Sequence, residues 1–202
     1  MDNKDNKHAK ATTADQAVLG PTHYQHVVST PIGELTLLSD GEALTGLRFA
    51  GQSGFAEQSR TVGTDVLPSD ATGDPPEVLR KAATQLKEYL RGSRNTFDVP
   101  LAANGTAFQQ RVWEALAAIP FGETRTYGQI ASAVGNRQAV RAVGGANNAN
   151  PIPIFIPCHR VVGSNGKLTG YSGGLTVKEW LLHLEGGDAQ PPVSELAVSP
   201  SS

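Results

Sequence analysis

Asn150-Pro151-Ile152-Pro153-Ile154-Phe155-Ile156-Pro157-Cys158-His159-Arg160-Val161-Val162 is the stretch on which the reading of this chain turns. Pro151, Pro153 and Pro157 fix their own φ and push the residues before them toward extended geometry, so the approach to Cys158 reads as extended and rigid. An apolar run then delivers the thiol to a fixed place with a titratable ring beside it. A thiol is a poor nucleophile until deprotonated, and unassisted it titrates near ~8.5. His159 is the candidate base. Arg160 could act electrostatically, but adjacent residues in an extended chain point apart, which favours a structural role. Cys158 is the only cysteine among 202 residues, which excludes an internal disulfide framework and a multi-thiolate zinc site. A lone thiol is either inert core filler or a reactive group, and composition alone favours filler.

Working outward, the region before this stretch is helical. Thr106 is placed to cap a helix whose Phe108, Val112, Leu116 and Ile119 recur at helical spacing and which ends at Pro120. Phe121-Gly122-Glu123-Thr124 is a turn. A short helix from Tyr127 buries Ile130 and Val134 and stops at Gly135. Gln138 to Ala146 reads as a further helix, built of Ala, Gly and Val with Arg141 as its one charge. Helix, tight turn and helix is the helix-turn-helix pattern, although a plain three-helix core unit has the same outline. Ala142, Gly144, Gly145 and Ala146 are poor core filler, and their flatness suits close approach to a phosphate backbone or a minor groove.

Further out, Tyr24 to Phe49 alternates in short apolar runs with a turn at Ser39-Asp40-Gly41, which predicts an antiparallel sheet. Gly51 to Gly73 reads mostly as a surface loop. Asp74 is placed to cap a helix that buries Val78, Leu79, Ala82, Leu86 and Tyr89 and stops at Gly92. The fold class is therefore an α/β two-domain protein, with a small N-terminal antiparallel sheet plus helix and a C-terminal helical domain containing a helix-turn-helix. The boundaries are a disordered extension over 1–21, the sheet domain over 22–100, the helical domain over 101–187, and a disordered tail over 188–202.

Hydrophobic residues make up 39% and charged residues 18%, as in a soluble globular chain. No apolar run nears the ~20 residues of a membrane span, and Met1 to Gln16 lack the apolar core of a secretory signal, so the expected location is cytoplasmic. The net charge of −2 is unevenly spread. Residues 101–187 carry seven basic and four acidic side chains, whereas residues 1–100 carry ten and thirteen, so any DNA contact falls in the C-terminal half.

Pro157-Cys158-His159-Arg160-Val161 resembles the active-site signature of the 6-O-alkylguanine-DNA alkyltransferases. The likeness extends in order through Thr106-Ala107-Phe108-Gln109, Val112-Trp113, Ile119-Pro120, Gly122-Glu123-Thr124, Tyr127-Gly128, Ala139 to Gly144, Asn150-Pro151 and Gly170-Tyr171-Ser172-Gly173-Gly174-Leu175, then Lys178, Leu181-Leu182 and Glu185. Before Leu101 it is weaker, resting on Gly46-Leu47 and Phe97-Asp98-Val99-Pro100-Leu101.

The resemblance implies a DNA-repair protein that flips out 6-O-alkylguanine and moves the alkyl group irreversibly to Cys158, each molecule acting once and without a cofactor. It implies that the C-terminal domain holds every functional residue. The reading helix enters the minor groove through Ala142, Gly144 and Gly145, and Arg141 fills the gap left by the flipped nucleotide. Tyr127 approaches the guanine ring nitrogen, Ser172 addresses the six-oxygen, and the main-chain carbonyls of Cys158 and Val161 take the exocyclic amine. The thiol proton passes through water to His159, which Glu185 orients, while Asn150 braces the turn. The implied partner is double-stranded DNA carrying alkylated guanine, with alkylated thymine left open, and the protein is expected to act as a monomer away from membranes.

Some members of the family bind zinc in the N-terminal domain, but there is no cysteine there and His23 and His26 make a poor pair, so no metal is expected. Trp113 and Trp180 read as core, and His183 as structural. One rival is a non-enzymatic alkyltransferase-like lesion binder, but such proteins carry tryptophan where Cys158 stands. Another is a transcription regulator reading the major groove, for which Gln138 to Ala146 offers few long polar side chains. A cysteine hydrolase would keep its histidine distant from the nucleophile.

Overall fold

The computed structural model describes residues 23–50, 66–67 and 74–186. The N-terminal domain is a sheet with strand order β3-β2-β1-β4, where β1 is His23–Thr30, β2 Gly33–Ser39, β3 Leu44–Phe49 and β4 Val66–Leu67. Strands β1 to β3 are antiparallel and β4 pairs parallel to β1. Alternation does what it should on β2, where Leu35, Leu37 and Ser39 are buried. Asp40 closes the second hairpin, its Oδ1 accepting from the backbone N–H groups of Glu42 at 3.0 Å and Ala43 at 2.8 Å.

Helix α1, Glu77–Leu90, lies against β1 to β3. It buries Val78, Leu79, Ala82, Leu86 and Tyr89 as the periodicity predicts, and Gly92 follows its end with φ +75°. Asp74 does not cap it. The N-cap position is Pro76, without a side-chain cap, because the helix starts three residues beyond Asp74. The loop expected over Gly51 to Gly73 lies outside the described residues except at Val66–Leu67, which pair with His23 and Tyr24 as a strand. The terminal segments expected to be disordered also lie outside the described residues.

The C-terminal domain contains α2 (Ala107–Ala117), α3 (Tyr127–Ala133), α4 (Val140–Asn148) and α5 (Leu175–Gly186), with a two-stranded parallel pair of β5 (Arg125–Thr126) and β6 (Val161–Val162). Thr106 caps α2 as expected, in a reciprocal capping box with Gln109. Thr126 does the same for α3 with Gln129, a cap the sequence reading passed over. Val134 is only half-buried, and Ala131 takes the second inward position instead. The fourth helix starts two residues later than predicted, because Asn136 Oδ1 takes the Gln138 N–H into a turn. Its small residues split between faces: Ala142 and Gly145 are exposed, whereas Ala146 is core and its carbonyl accepts the Trp113 Nε1–H at 2.8 Å.

One apolar core runs through both domains. The outer edge of β3 would otherwise present unpaired backbone groups. It is covered instead by the interdomain connector, Leu44 N donating to Pro100 O at 2.8 Å and Ala102 N to Leu44 O at 2.9 Å, and by Leu47 N donating to Pro151 O at 2.9 Å. The sheet thus grips the start of the cysteine-bearing stretch directly. A second grip is at Gly173, where an added Cβ would lie 2.7 Å from the Phe49 ring, itself wedged edge-on against Tyr171. Gly173→Ala is therefore expected to lose about 1–3 kcal/mol by overpacking, and urea unfolding of the variant against the parent protein checks it.

Candidate active site

The stretch from Asn150 to Val162 is not extended. Asn150 folds it: its Nδ2 donates to Ile156 O at 2.8 Å and its Oδ1 accepts from Ile152 N at 3.0 Å. Ile156 N also donates to Ile152 O at 2.9 Å, and Ile154 is driven to φ +75°. A β-branched residue in that region costs about 1–3 kcal/mol, and full burial of Ile154 in the core holds it there. The prolines limit the choices of the chain without making it straight. Pro157 leads into a 3-10 turn over Cys158–Arg160, all three of whose side chains are buried.

That turn explains why Arg160 is part of the site. Side chains at successive positions of a 3-10 turn diverge by about a third of a circle instead of a half, so His159 and Arg160 both reach Glu185 on α5. His159 Nε2 sits 2.8 Å from Glu185 Oε1. Arg160 grips the carboxylate with Nε at 2.8 Å from Oε2 and Nη2 at 2.9 Å from Oε1, and its Nη1 donates to Ile119 O at 2.6 Å. Gly122 N donates to Oε2 at 3.1 Å. Tyr89 of α1 donates its hydroxyl to Oε1, and the hydroxyl oxygen lies 3.3 Å from His159 Nε2. The N-terminal domain thus reaches the site, contrary to the expectation that the C-terminal domain holds all of it.

Burial opposes the charge on Glu185, but hydrogen bonds from His159, Arg160 and Tyr89, with the charge beside it, outweigh that and hold its pKa at about 2. Burial pushes His159 below its ordinary value, helped by the cations of Arg160 and Lys178 and opposed by Glu185. The ring is neutral at neutral pH. With Nε2 hydrogen-bonded to a carboxylate, the proton sits on Nε2, and Nδ1, buried with no hydrogen-bond partner among the described residues, keeps its lone pair. Burial also pushes the Cys158 thiol up to about 11, against the pull of the Asn150 hydrogen bond and the Lys178 charge. At rest the group is a thiol, so a base has to remove its proton during reaction.

The other candidate residues lie on α3, on α4 and in the loop before α5. Tyr127 opens α3 and its hydroxyl accepts from Thr169 Oγ1 at 3.1 Å. Lys178, fully buried, donates Nζ to Val161 O at 2.6 Å and to Thr169 O at 2.8 Å, tying the strand after the cysteine to the loop that faces Tyr127. Burial lowers its pKa to about 8, and Cys158 opposes the shift. The Val161 carbonyl thus already has one partner, as does that of Cys158, which accepts the Val161 N–H. Ser172 Oγ and Tyr171 Oη are buried without hydrogen-bond partners among the described residues. On α4, Arg141, Ala142 and Gly145 are exposed, while Gly144 is half-buried toward the Tyr127 ring. From sequence, Tyr89 was placed among the buried residues of its helix and Lys178 within the family likeness, but neither was given a role at the site. The available signal was a polar-tipped or charged residue on the apolar stripe of its helix, which needs a partner when buried.

Among the described residues no group of three or more His, Cys, Asp or Glu could hold a metal ion, and no helix is long and apolar enough to cross a membrane.

Comparison with known proteins follows the same division of the chain. Residues 107–187 match the model of the 6-O-methylguanine DNA methyltransferase DNA-binding domain, and residues 23–103 match that of the ribonuclease-like domain of the same family. A methylated-DNA--protein-cysteine methyltransferase of Methanosarcina acetivorans is 48% identical over 81% of this chain and 98% of its own length. The corresponding protein of Mycobacterium tuberculosis is 49% identical over 81% of this chain and 92% of its own. A crystal structure of Mycobacterium tuberculosis OGT in complex with DNA superposes with TM-score 0.73 at 45% identity, covering 86% of this chain and 98% of that one.

The pKa directions set a pH dependence. The Glu185 carboxylate titrates lower in the fold than its ordinary 4.5, so its contribution to stability is present above pH 4.5 and is lost as pH falls through about 2. His159 titrates below its ordinary 6.5, so the unfolded chain takes up a proton first and stability also falls as pH drops below 6.5. Glu185→Gln should remove the lower of these two steps. It should also cost about 3–5 kcal/mol at neutral pH, because Arg160 stays buried without its carboxylate. Denaturant unfolding of both proteins from pH 8 to pH 2 measures both effects.

Proposed function

From membership of the 6-O-methylguanine DNA methyltransferase family, to which this chain belongs, we propose a full chemical assignment: the protein repairs DNA by moving the alkyl group of 6-O-alkylguanine onto Cys158. The observation that supports the chemistry best is the pairing of a buried thiol with a neutral, Glu185-anchored His159 whose Nδ1 lone pair is free. A buried resting thiol does not react adventitiously, and it becomes a nucleophile when His159 accepts its proton through a bridging water. The sulfur then attacks the alkyl carbon, an S–C bond forms as the C–O bond breaks, and the electron pair of that bond stays on guanine. Hydrogen-bond donors stabilise the charge as it develops: the Tyr127 hydroxyl at the ring nitrogen and Ser172 at the six-oxygen. The carbonyls of Cys158 and Val161 accept from the exocyclic amine with their remaining lone pairs, and Asn150 holds the turn in register.

The product is a thioether, which water does not cleave under cellular conditions, so each molecule acts once. Exposed Ala142 and Gly145, with Gly144 behind them, make a flat minor-groove face on α4, and Arg141 at its start enters the stack where the damaged nucleotide leaves. The sheet-plus-helix unit over 22–100 and the alkyl-transfer unit over 101–187 act together as a monomer on duplex DNA, in the cytoplasm. A non-enzymatic lesion binder is disfavoured by Cys158 itself.

Incubation with a duplex carrying radiolabelled methylguanine should make the label protein-bound, at one methyl per molecule on Cys158 by mass spectrometry. Cys158→Ser should abolish transfer and leave binding to the alkylated duplex within about threefold. Repeated turnover at substoichiometric protein would overturn the single-use chemistry. Arg141→Ala should slow repair in duplex DNA at least tenfold more than reaction with free alkylated guanine, because the free base needs no flipping; equal losses on both substrates would place Arg141 in the pocket instead.

A further inference from the structure

Tyr89 belongs to α1 of the N-terminal domain, yet its hydroxyl is fully buried against Glu185 and His159. Its ring is held from two sides, by Phe97 at 5.1 Å and by Phe121 at 6.1 Å between centroids. A tyrosine serving only as core filler would carry no hydroxyl there, since an apolar ring of the same shape fills the space without a polar group to satisfy.

We propose that Tyr89 is a positioning residue for the proton relay, its hydroxyl donating to Glu185 Oε1 and so sharing the carboxylate oxygen that orients His159. The inference rests on the relay proposed above.

The consequence is electrostatic. Glu185 Oε1 receives hydrogen bonds from Tyr89, His159 and Arg160, and every donor that takes part of its negative charge leaves less for the imidazole. A less polarised imidazole is harder to protonate and stays neutral at rest, which is the form that accepts the thiol proton. A Tyr89 hydroxyl that donates to Oε1 leaves its oxygen lone pairs for His159 Nε2 at 3.3 Å, which favours the tautomer with its proton on Nε2 and its lone pair on Nδ1. The charged and titratable groups facing His159 are Glu185 and Lys178 on α5, Arg160 and Cys158 on its own turn, Tyr171 on the following loop and Tyr89 on α1. Among these, only Tyr89 comes from the N-terminal domain. The relay of a protein built in two domains is then completed across their boundary.

Tyr89→Phe keeps the ring and removes the hydroxyl. In the full-length protein, the ring nitrogens of His159, labelled with 15N and assigned by comparison with His159→Gln, report tautomer and titration without any alkyl transfer. The expected result is a His159 titration moved upward by on the order of one pH unit in Tyr89→Phe, since more of the Glu185 charge then falls on the ring. The acidic limb of the single-turnover rate with free benzylguanine should move upward in parallel. Superimposable His159 titrations in the parent and the variant overturn the inference, whatever the transfer assay shows, whereas absence of transfer in the parent protein would count against the proposed function alone. Should Tyr89→Phe fail to fold, the parent protein decides: an exchange-protected Tyr89 hydroxyl proton with a nuclear Overhauser contact to the His159 ring supports the inference, and its absence overturns it.

Discussion

A single buried carboxylate holds the centre of this protein together. Glu185 collects donors from a guanidinium, an imidazole, a phenol and a backbone N–H, which come from Arg160, His159, Tyr89 and Gly122. An ion taken out of water is stable only when such donors replace its hydration. The requirement works in both directions: the carboxylate needs all four groups, and the three elements that carry them meet on α5 because it needs them. The last helix, the turn bearing the thiol, the turn after α2 and the helix of the N-terminal domain are pinned to one point. Arg160 extends the network to Ile119 O and so to the end of α2.

Around that anchor the thiol is kept unreactive until it is needed. Burial raises its pKa to about 11, so the electrostatics alone do not generate a thiolate at neutral pH. The ordinary thiol value near ~8.5 understates how much of the proton removal falls to His159. On the proposed single-use chemistry this arrangement is an advantage, because a thiol that ionised freely would be spent on other electrophiles. Lys178 works on the opposite side, its Nζ bound to two carbonyls and its charge acting on the sulfur, so the same buried cation both ties the binding loop to β6 and favours the thiolate once it forms.

Much of this was legible from local pattern. The capping of α2 by Thr106, the buried stripes of α1 and α2, the turn at Ser39-Asp40-Gly41 and the helix-turn-helix outline all rest on interactions between residues a few positions apart. Where local signals misled, a local rule was overridden by its surroundings. Asp74 is a good capping residue, but the chain runs on through Pro75 and Pro76 before turning helical. Proline spacing suggested an extended approach to Cys158, whereas Asn150 folds the segment back through side-chain hydrogen bonds to Ile152 and Ile156. The strand Val66–Leu67 is too short to produce an alternating pattern.

By itself the sequence determined the class of each domain, singled out Cys158 with His159 beside it, and marked a helix rich in small residues, because these depend on residue type and short spacing. Only the tertiary structure decided how the thiol is governed. Tyr89 and Glu185 stand 96 positions apart, and Arg160 and Ile119 stand 41 apart. No periodicity or motif marks a hydrogen bond between such distant residues. It exists because a buried charge must find donors wherever the packed chain brings them, and where those donors lie is settled only when both domains share one core.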